Sequence, residues 1–238
     1  MDALLASPGI EKLAEWSPIL LAGFVNSIYI AIGGYTLGLV IGLMGAAGKL
    51  YGGLVTRDLL EVYTTVVRAV PELILILLLY YAGSDLLNTV MRSLGYGEAD
   101  INGLAAGIVV IGIVQGAYTT EVIRGAILAV PVGQFEAAKA YGMGPLQIFR
   151  RITVPAMLPH ALPGLGNLWL IATKDTALLA VVGFTELTLA TRQAAGATKY
   201  YLTFYLAAGV LYLLLSIVSG LVIKLVEARY RRGMAGAH

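Results

Sequence analysis

An all-α integral membrane protein with about five transmembrane helices is the fold class the sequence predicts. Of the 238 residues, 58% are hydrophobic and only 13% charged, with a mean hydropathy of +0.83, which is too apolar for a water-soluble domain of this size. The apolar residues arrive in five long runs, each reaching or passing the roughly 20 residues a helix needs to cross hydrocarbon. Because the runs are continuous rather than alternating, helices and not a β-barrel satisfy the backbone inside lipid.

The first run, about residues 18–47, carries Gly34, Gly38 and Gly42 at four-residue spacing, a stripe that lets another helix approach closely. The second, about 59–82, is interrupted near its middle by Arg68, Pro71 and Glu72. The third, about 101–130, includes Gln115 and Glu121. A polar amphipathic stretch, 131–154, follows and is too charged to span. The fourth run, about 155–184, contains Pro159, Pro163, Lys174 and Asp175, and the fifth, about 200–226, is cleanly apolar. Residues 1–238 thus read as a single transmembrane domain.

Short loops rich in Lys and Arg stay cytoplasmic, so the cations orient the chain. One side would hold Lys49, Arg57, Arg124, Lys139, Arg150, Arg151, Lys224, Arg229, Arg231 and Arg232, the other only Lys12, Arg92, Arg192 and Lys199. This predicts an outside amino terminus, an inside carboxyl terminus and a cytoplasmic 131–154 loop. The stretch from Met1 to Pro18 contains acids and a single Lys, unlike a signal peptide, so the mature chain is expected to begin near Met1. A net charge of +2 gives no support for nucleic-acid binding. There is no cysteine, and His160 and His238 are far apart, which argues against a zinc site within the chain.

Within the loop, Glu136, Ala137 and Ala138 are followed by Gly142 and, nine residues further on, by Ile152, Val154 and Pro155. Glu136 to Tyr141 can form a short helix, Gly142 supplies a turn open to positive φ, and Pro145 suits the first turn of a second helix. Two short helices joined by a tight turn make a rigid knob that can pass a load to the adjoining spans. An amphipathic helix resting on lipid headgroups is the plainer alternative. The pattern resembles the EAA loop of ATP-binding-cassette importer permeases, departing from it only in Val154 for Leu.

Around the loop, Arg124, Gly125, Val130, Pro131, Gly133, Gln134, Phe149, Arg150, Arg151, Leu162, Pro163, Gly164, Gly166, Asn167, Lys174, Asp175 and Thr176 are similar to the polar-amino-acid uptake group. Arg68, Val70, Pro71 and Glu72, with Thr191, Gln193, Ala194 and Gly196, resemble the histidine, lysine-arginine-ornithine and opine permeases, in particular the Q-type member of a pair. The resemblance implies a type I ABC-importer (MetI-like) permease fold with cytoplasmic coupling helices, in a bacterial inner membrane. It implies a heterodimer with a second homologous permease, an ATPase homodimer beneath, and a periplasmic solute-binding protein that delivers cationic amino acids or opines. ATP and Mg would belong to the ATPase, no cofactor to this chain, and alternating access would be the mechanism. Glu136, Ala137, Ala138, Gly142, Phe149, Arg150 and Arg151 would then couple to the ATPase.

Charges in hydrocarbon cost a few kcal/mol each, so Arg68, Glu72, Glu121, Lys174 and Asp175 should face protein or water. Arg68 and Glu72 are four apart and share a helical face if the helix persists through Pro71. Either they pair with each other, or Glu72 meets the cationic group of a passing solute, since broken helices commonly line transport sites. Lys174 and Asp175 point about 100° apart on a helix and each needs another partner. Structural or interface duty is expected of them, as of Pro71, Glu121 and Asn167. Asn26, Gln115 and Thr176 join Arg68 and Glu72 as candidates for the solute pathway, with interhelical hydrogen bonding as their alternative duty. Rival readings are weaker. No His-Glu-x-x-His pair, Gly-x-Ser-x-Gly elbow or phosphate-cradling loop supports an intramembrane enzyme, and no internal repeat supports a self-sufficient carrier. A bare scaffold would leave the loop without purpose.

Overall fold

The computed structural model describes residues 8–97 and 102–231, so expectations placed on Met1, Ile101, Arg232 and His238 lie outside the described residues. Helix α1, Pro8–Tyr51, is 44 residues long and starts before the predicted run, with Pro18 inside it. Proline leaves the carbonyl four residues back without its helical donor, and here the Ser17 hydroxyl donates to the Ala14 oxygen at 2.8 Å. That local repair lets the helix continue through Pro18.

The second run is not one helix. It forms α2, Leu54–Ala69, and α3, Glu72–Ser93, separated by Val70 and Pro71 in extended conformation. Pro71 removes a donor and forces the preceding residue out of helical geometry, and α3 alone is long and apolar enough to span. The crossing therefore lies further along the chain than 59–82. The expected shared face of Arg68 and Glu72 does not exist, and no ion pair joins them among the described residues. Instead Arg68 ends α2 and Glu72 begins α3, each charge having the sign that its helix end favours.

Helix α4, Gly103–Leu128, is capped by the Asn102 side chain, which accepts from the Leu104 and Ala105 N–H groups. The loop forms α5, Val132–Ala140, and α6, Pro145–Ile148. The chain then runs through one wider, π-type stretch, Phe149–Thr153, directly into α7, Val154–Asp175, and a tighter 3₁₀ segment, Thr176–Val182. Helix α8, Leu187–Thr198, was not anticipated, and α9, Tyr201–Arg231, is the last span.

Helices α1 and α4 run parallel and in close contact. Gly34, Gly38 and Gly42 of α1 lie against Ile111, Gln115 and Thr119 of α4, while Gly112 and Gly116 of α4 receive Leu37 and Ile41. Helix α7 returns antiparallel along α4, Met157 and Ala161 packing with Ile123, Ala126 and Ile127. At the far end Leu20, Ala190, Ala194 and Phe204 join α1, α8 and α9. Helix α3 buries only Leu75 and Ile76, so most of its surface is left for lipid or another subunit.

Candidate functional site

The loop is a stiff hairpin. Helix α5 ends in a Schellman turn, with Gly142 N–H donating to the Lys139 oxygen (2.9 Å), Met143 N–H to the Ala138 oxygen (3.1 Å), and Gly142 at φ +72°. Only glycine adopts that φ without strain, which gives Gly142 its place in the pattern. Pro145 opens α6 as expected, but α6 is no separate helix: it is the first turn of the rod that becomes α7. Glu136, Ala137, Gly142, Arg150 and Arg151 face outward, Ala138 is buried, and Phe149 is part-exposed at 37%. A push on α5 therefore reaches a membrane-crossing helix through four residues of turn.

At mid-height in α4, Gln115 is fully buried and donates from Nε2 to Asp175 Oδ2 at 3.1 Å. Glu72 lies close to both Asp175 and Tyr118. The break at Pro71 thus brings the first residue of α3 to the last residue of α7. Two acids side by side, with one amide donor and one phenol, repel when both are ionised unless a cation joins them. Lys174 beside them is exposed, and Arg68 lies close enough to act electrostatically on Tyr118.

The other pathway candidates separate from this cluster. Thr176 is fully buried and its hydroxyl donates to the Thr173 carbonyl at 3.0 Å, from the start of the 3₁₀ segment back to the last turn of α7. Asn26 donates to the Thr185 carbonyl at 2.9 Å, near a junction that the sequence reading missed. There Glu186, fully buried, caps α8 by accepting from Thr188 N–H (2.8 Å) and Leu189 N–H (2.9 Å), and also takes the Tyr212 hydroxyl of α9 at 3.1 Å. Burial pushes its carboxyl above the ordinary value, and the two backbone donors pull it back. Ser27 of α1 completes the junction by accepting from Leu187 N–H at 3.1 Å. Asn167 and Pro71 are exposed.

Glu121 is tied at the loop end of the bundle. Lys49, also unanticipated as a buried charge, donates to Glu121 Oε1 (2.6 Å), Glu61 Oε2 (2.7 Å) and Thr64 Oγ1 (2.6 Å), and Arg124 donates to Glu121 Oε2 at 2.8 Å. This network ties α1 and α2 to α4.

A helix–turn–rod loop attached to a bundle with a polar break at mid-height is the anatomy of a permease, and residues 34–232 match the family model described as binding-protein-dependent transport system inner membrane component. The chain belongs to that family. As a binding-protein-dependent inner-membrane component it has close curated relatives. It is 41% identical over 225 residues to the histidine/lysine/arginine/ornithine transport system permease protein HisQ of Escherichia coli, covering 94% of this chain and 99% of HisQ. It is 45% identical over 210 residues to the nopaline transport system permease protein NocQ of Agrobacterium fabrum, covering 87% and 88%. Among solved structures, that described as the crystal structure of an amino acid ABC transporter with histidines superposes with a TM-score of 0.76 at 26% identity, over 91% of this chain and 96% of that one. The all-α permease fold with apolar spans is thereby established.

Proposed function

We propose that this inner-membrane component is the permease through which an ATP-driven importer moves cationic amino acids or opines into the cytoplasm. The relatives named for histidine, lysine, arginine, ornithine and nopaline transport support the solute class. The observation that carries the mechanism is the Schellman-locked α5 turn continuous, through α6, with a membrane-crossing helix. In this reading α5 docks in an ATPase homodimer, which binds ATP and Mg, while a second homologous permease supplies the other half of the pore as a heterodimer and a periplasmic binding protein loads it. The amino terminus lies outside and the carboxyl terminus inside, as the cation asymmetry favours. ATP binding draws the two permease loops together and opens the cavity outward, and hydrolysis returns it. No chemical step falls to this chain.

Glu136, Ala137, Gly142, Phe149, Arg150 and Arg151 serve the docking, with Ala138 buried on the inner side of α5. Ala137→Arg should leave the chain in the membrane with an unchanged melting temperature, because Ala137 is exposed. It should nevertheless weaken ATPase copurification about thirtyfold, the loss expected of an interface hot spot. Undiminished copurification would refute the docking role.

Glu72, with Asp175 and Gln115 behind it, is the solute-facing group, and Arg68 flanks the approach. Removing one charge-assisted hydrogen bond loses about 2 kcal/mol, or about thirtyfold. Glu72→Gln should reduce arginine uptake by that factor while neutral amino acids, where transported, are little affected. Equal loss for both classes would show damage to the fold instead.

A further inference from the structure

The cationic amino acids and opines proposed above carry at least one carboxylate beside their cations, and no residue yet named receives it. Glu72 is part-exposed, with Asp175 buried behind it, so together they suit the cationic groups and repel a carboxylate. Arg68, in the last turn of α2, is exposed and lies close enough to Tyr118, the neighbour of Glu72, to act on it electrostatically. Tyr118 is one turn from Gln115 at mid-height in α4, so Arg68 stands well inside the span, where a charge has to face water or protein. Its guanidinium is uncommitted. Among the described residues Arg68 makes no ion pair and no hydrogen bond, and the Val66 carbonyl at that helix end is taken by the Val70 N–H at 3.2 Å.

Lys174 is the rival cation. It too is exposed, but it leaves α7 about 100° round from Asp175, and its ammonium is a point charge. A guanidinium offers a carboxylate two parallel N–H donors and so fixes its orientation as well as its charge. A cation and an acid on either side of the Pro71 break match the two ends of a zwitterion. We infer that Arg68 sets the specificity of the site for a carboxylate-bearing solute, its guanidinium gripping that carboxylate while Glu72 takes the cationic end. The assignment rests on Glu72 being the solute-facing group. It makes an amino acid or opine the substrate and a bare diamine or guanidinoamine a poor one.

The test is equilibrium binding of radiolabelled arginine to the permease–ATPase complex in nanodiscs, without the binding protein, whose own selectivity would intervene. Agmatine, which is arginine without its carboxylate, is the competitor. The parent should bind arginine about thirtyfold more tightly than agmatine, the factor expected for one charge-assisted contact. Arg68→Gln should lose that factor for arginine and leave agmatine as it was, so that the two bind alike. Arg68→Lys should keep part of the preference, since it retains the charge without the fork. Glu72→Gln should weaken both. Arg68 is exposed, so its variants are read on a folded complex. Equal weakening of both solutes by Arg68→Gln, an unchanged preference, or loss of the preference in Lys174→Gln instead would each overturn the assignment. Loss of the second permease from the Arg68→Gln complex would overturn it too, by showing that Arg68 pairs across the subunit interface. Failure of the underlying reading looks different: the parent binds no arginine, or Glu72→Gln changes neither affinity, and both readings then fall.

Discussion

Gly42→Leu should yield little or no monodisperse protein after extraction, whereas Gly209→Leu should behave like the parent. A Cβ at position 42 would fall on the Thr119 side chain and within 2.9 Å of the Thr119 carbonyl carbon, and backbone cannot swing aside as a side-chain tip can. One turn earlier, a Cβ on Gly38 would meet Gln115 Cβ at 2.8 Å, so the contact is a seam and not a point. Leu37 and Ile41 fill the complementary notches at Gly112 and Gly116, and relieving the clash by separating the helices would empty those notches too. Overpacking and lost packing therefore add, for about 3 kcal/mol or more. Gly209 has nothing within 4 Å of the position its Cβ would take. The measurement is the monodisperse fraction by size-exclusion chromatography together with the thermal midpoint in lipid nanodiscs. Similar profiles for the two variants would mean that α1 and α4 are not held at this distance.

That seam was legible in the sequence, because glycines at four-residue spacing in an apolar run have few other uses inside a membrane. The turn at Gly142 was legible for a related reason: its neighbours are helix formers, and a lone glycine followed by Gly-Pro marks where a helix must stop. The need of Asp175 for a partner other than Lys174 was also readable from the angle between adjacent helical residues, though not that Gln115 would supply it.

What stayed hidden depended on contacts between distant segments. Lys49 stands at the end of an apolar run, where a snorkelling lysine and a buried one look the same, and only the return of α2 gives it Glu61 and Thr64. Glu186 is an uncommon residue at a helix start, and the 12-residue α8 behind it is too short and too rich in Ala and Thr to stand out between two spans. The second crossing was placed too early because α2 has an apolar face of its own, while the end of α3 carries Ser84, Asp85 and Asn88 and reads as loop. Tyr118 was overlooked because Glu72 comes near it only through the break at Pro71.

The Lys49 network carries the other large effect. All three donors of the ammonium are engaged, on α2 through Glu61 and Thr64 and on α4 through Glu121. Only 3% of the Lys49 side chain and 17% of that of Glu121 are exposed. Lys49→Met would leave Glu121 with Arg124 alone in a largely dry site, and breaking such a pair from one side costs about 3 kcal/mol. At about 2–4 °C per kcal/mol for a chain of this size, the midpoint should fall by roughly 6–12 °C. Lys12→Met, which breaks the exposed 2.6 Å pair with Glu15, should leave it unchanged, since water screens that pair. Adding Glu121→Leu to Lys49→Met should restore part of the loss, because the orphaned buried charge is then gone while Glu61 and Arg124 remain near water. A double variant no better than the single one would show that Lys49 acts by packing alone. Since α2 ends at the break that delivers Glu72 to Asp175, Lys49→Met should also depress arginine uptake per folded molecule, coupling a tie at the loop end to the acids at mid-height.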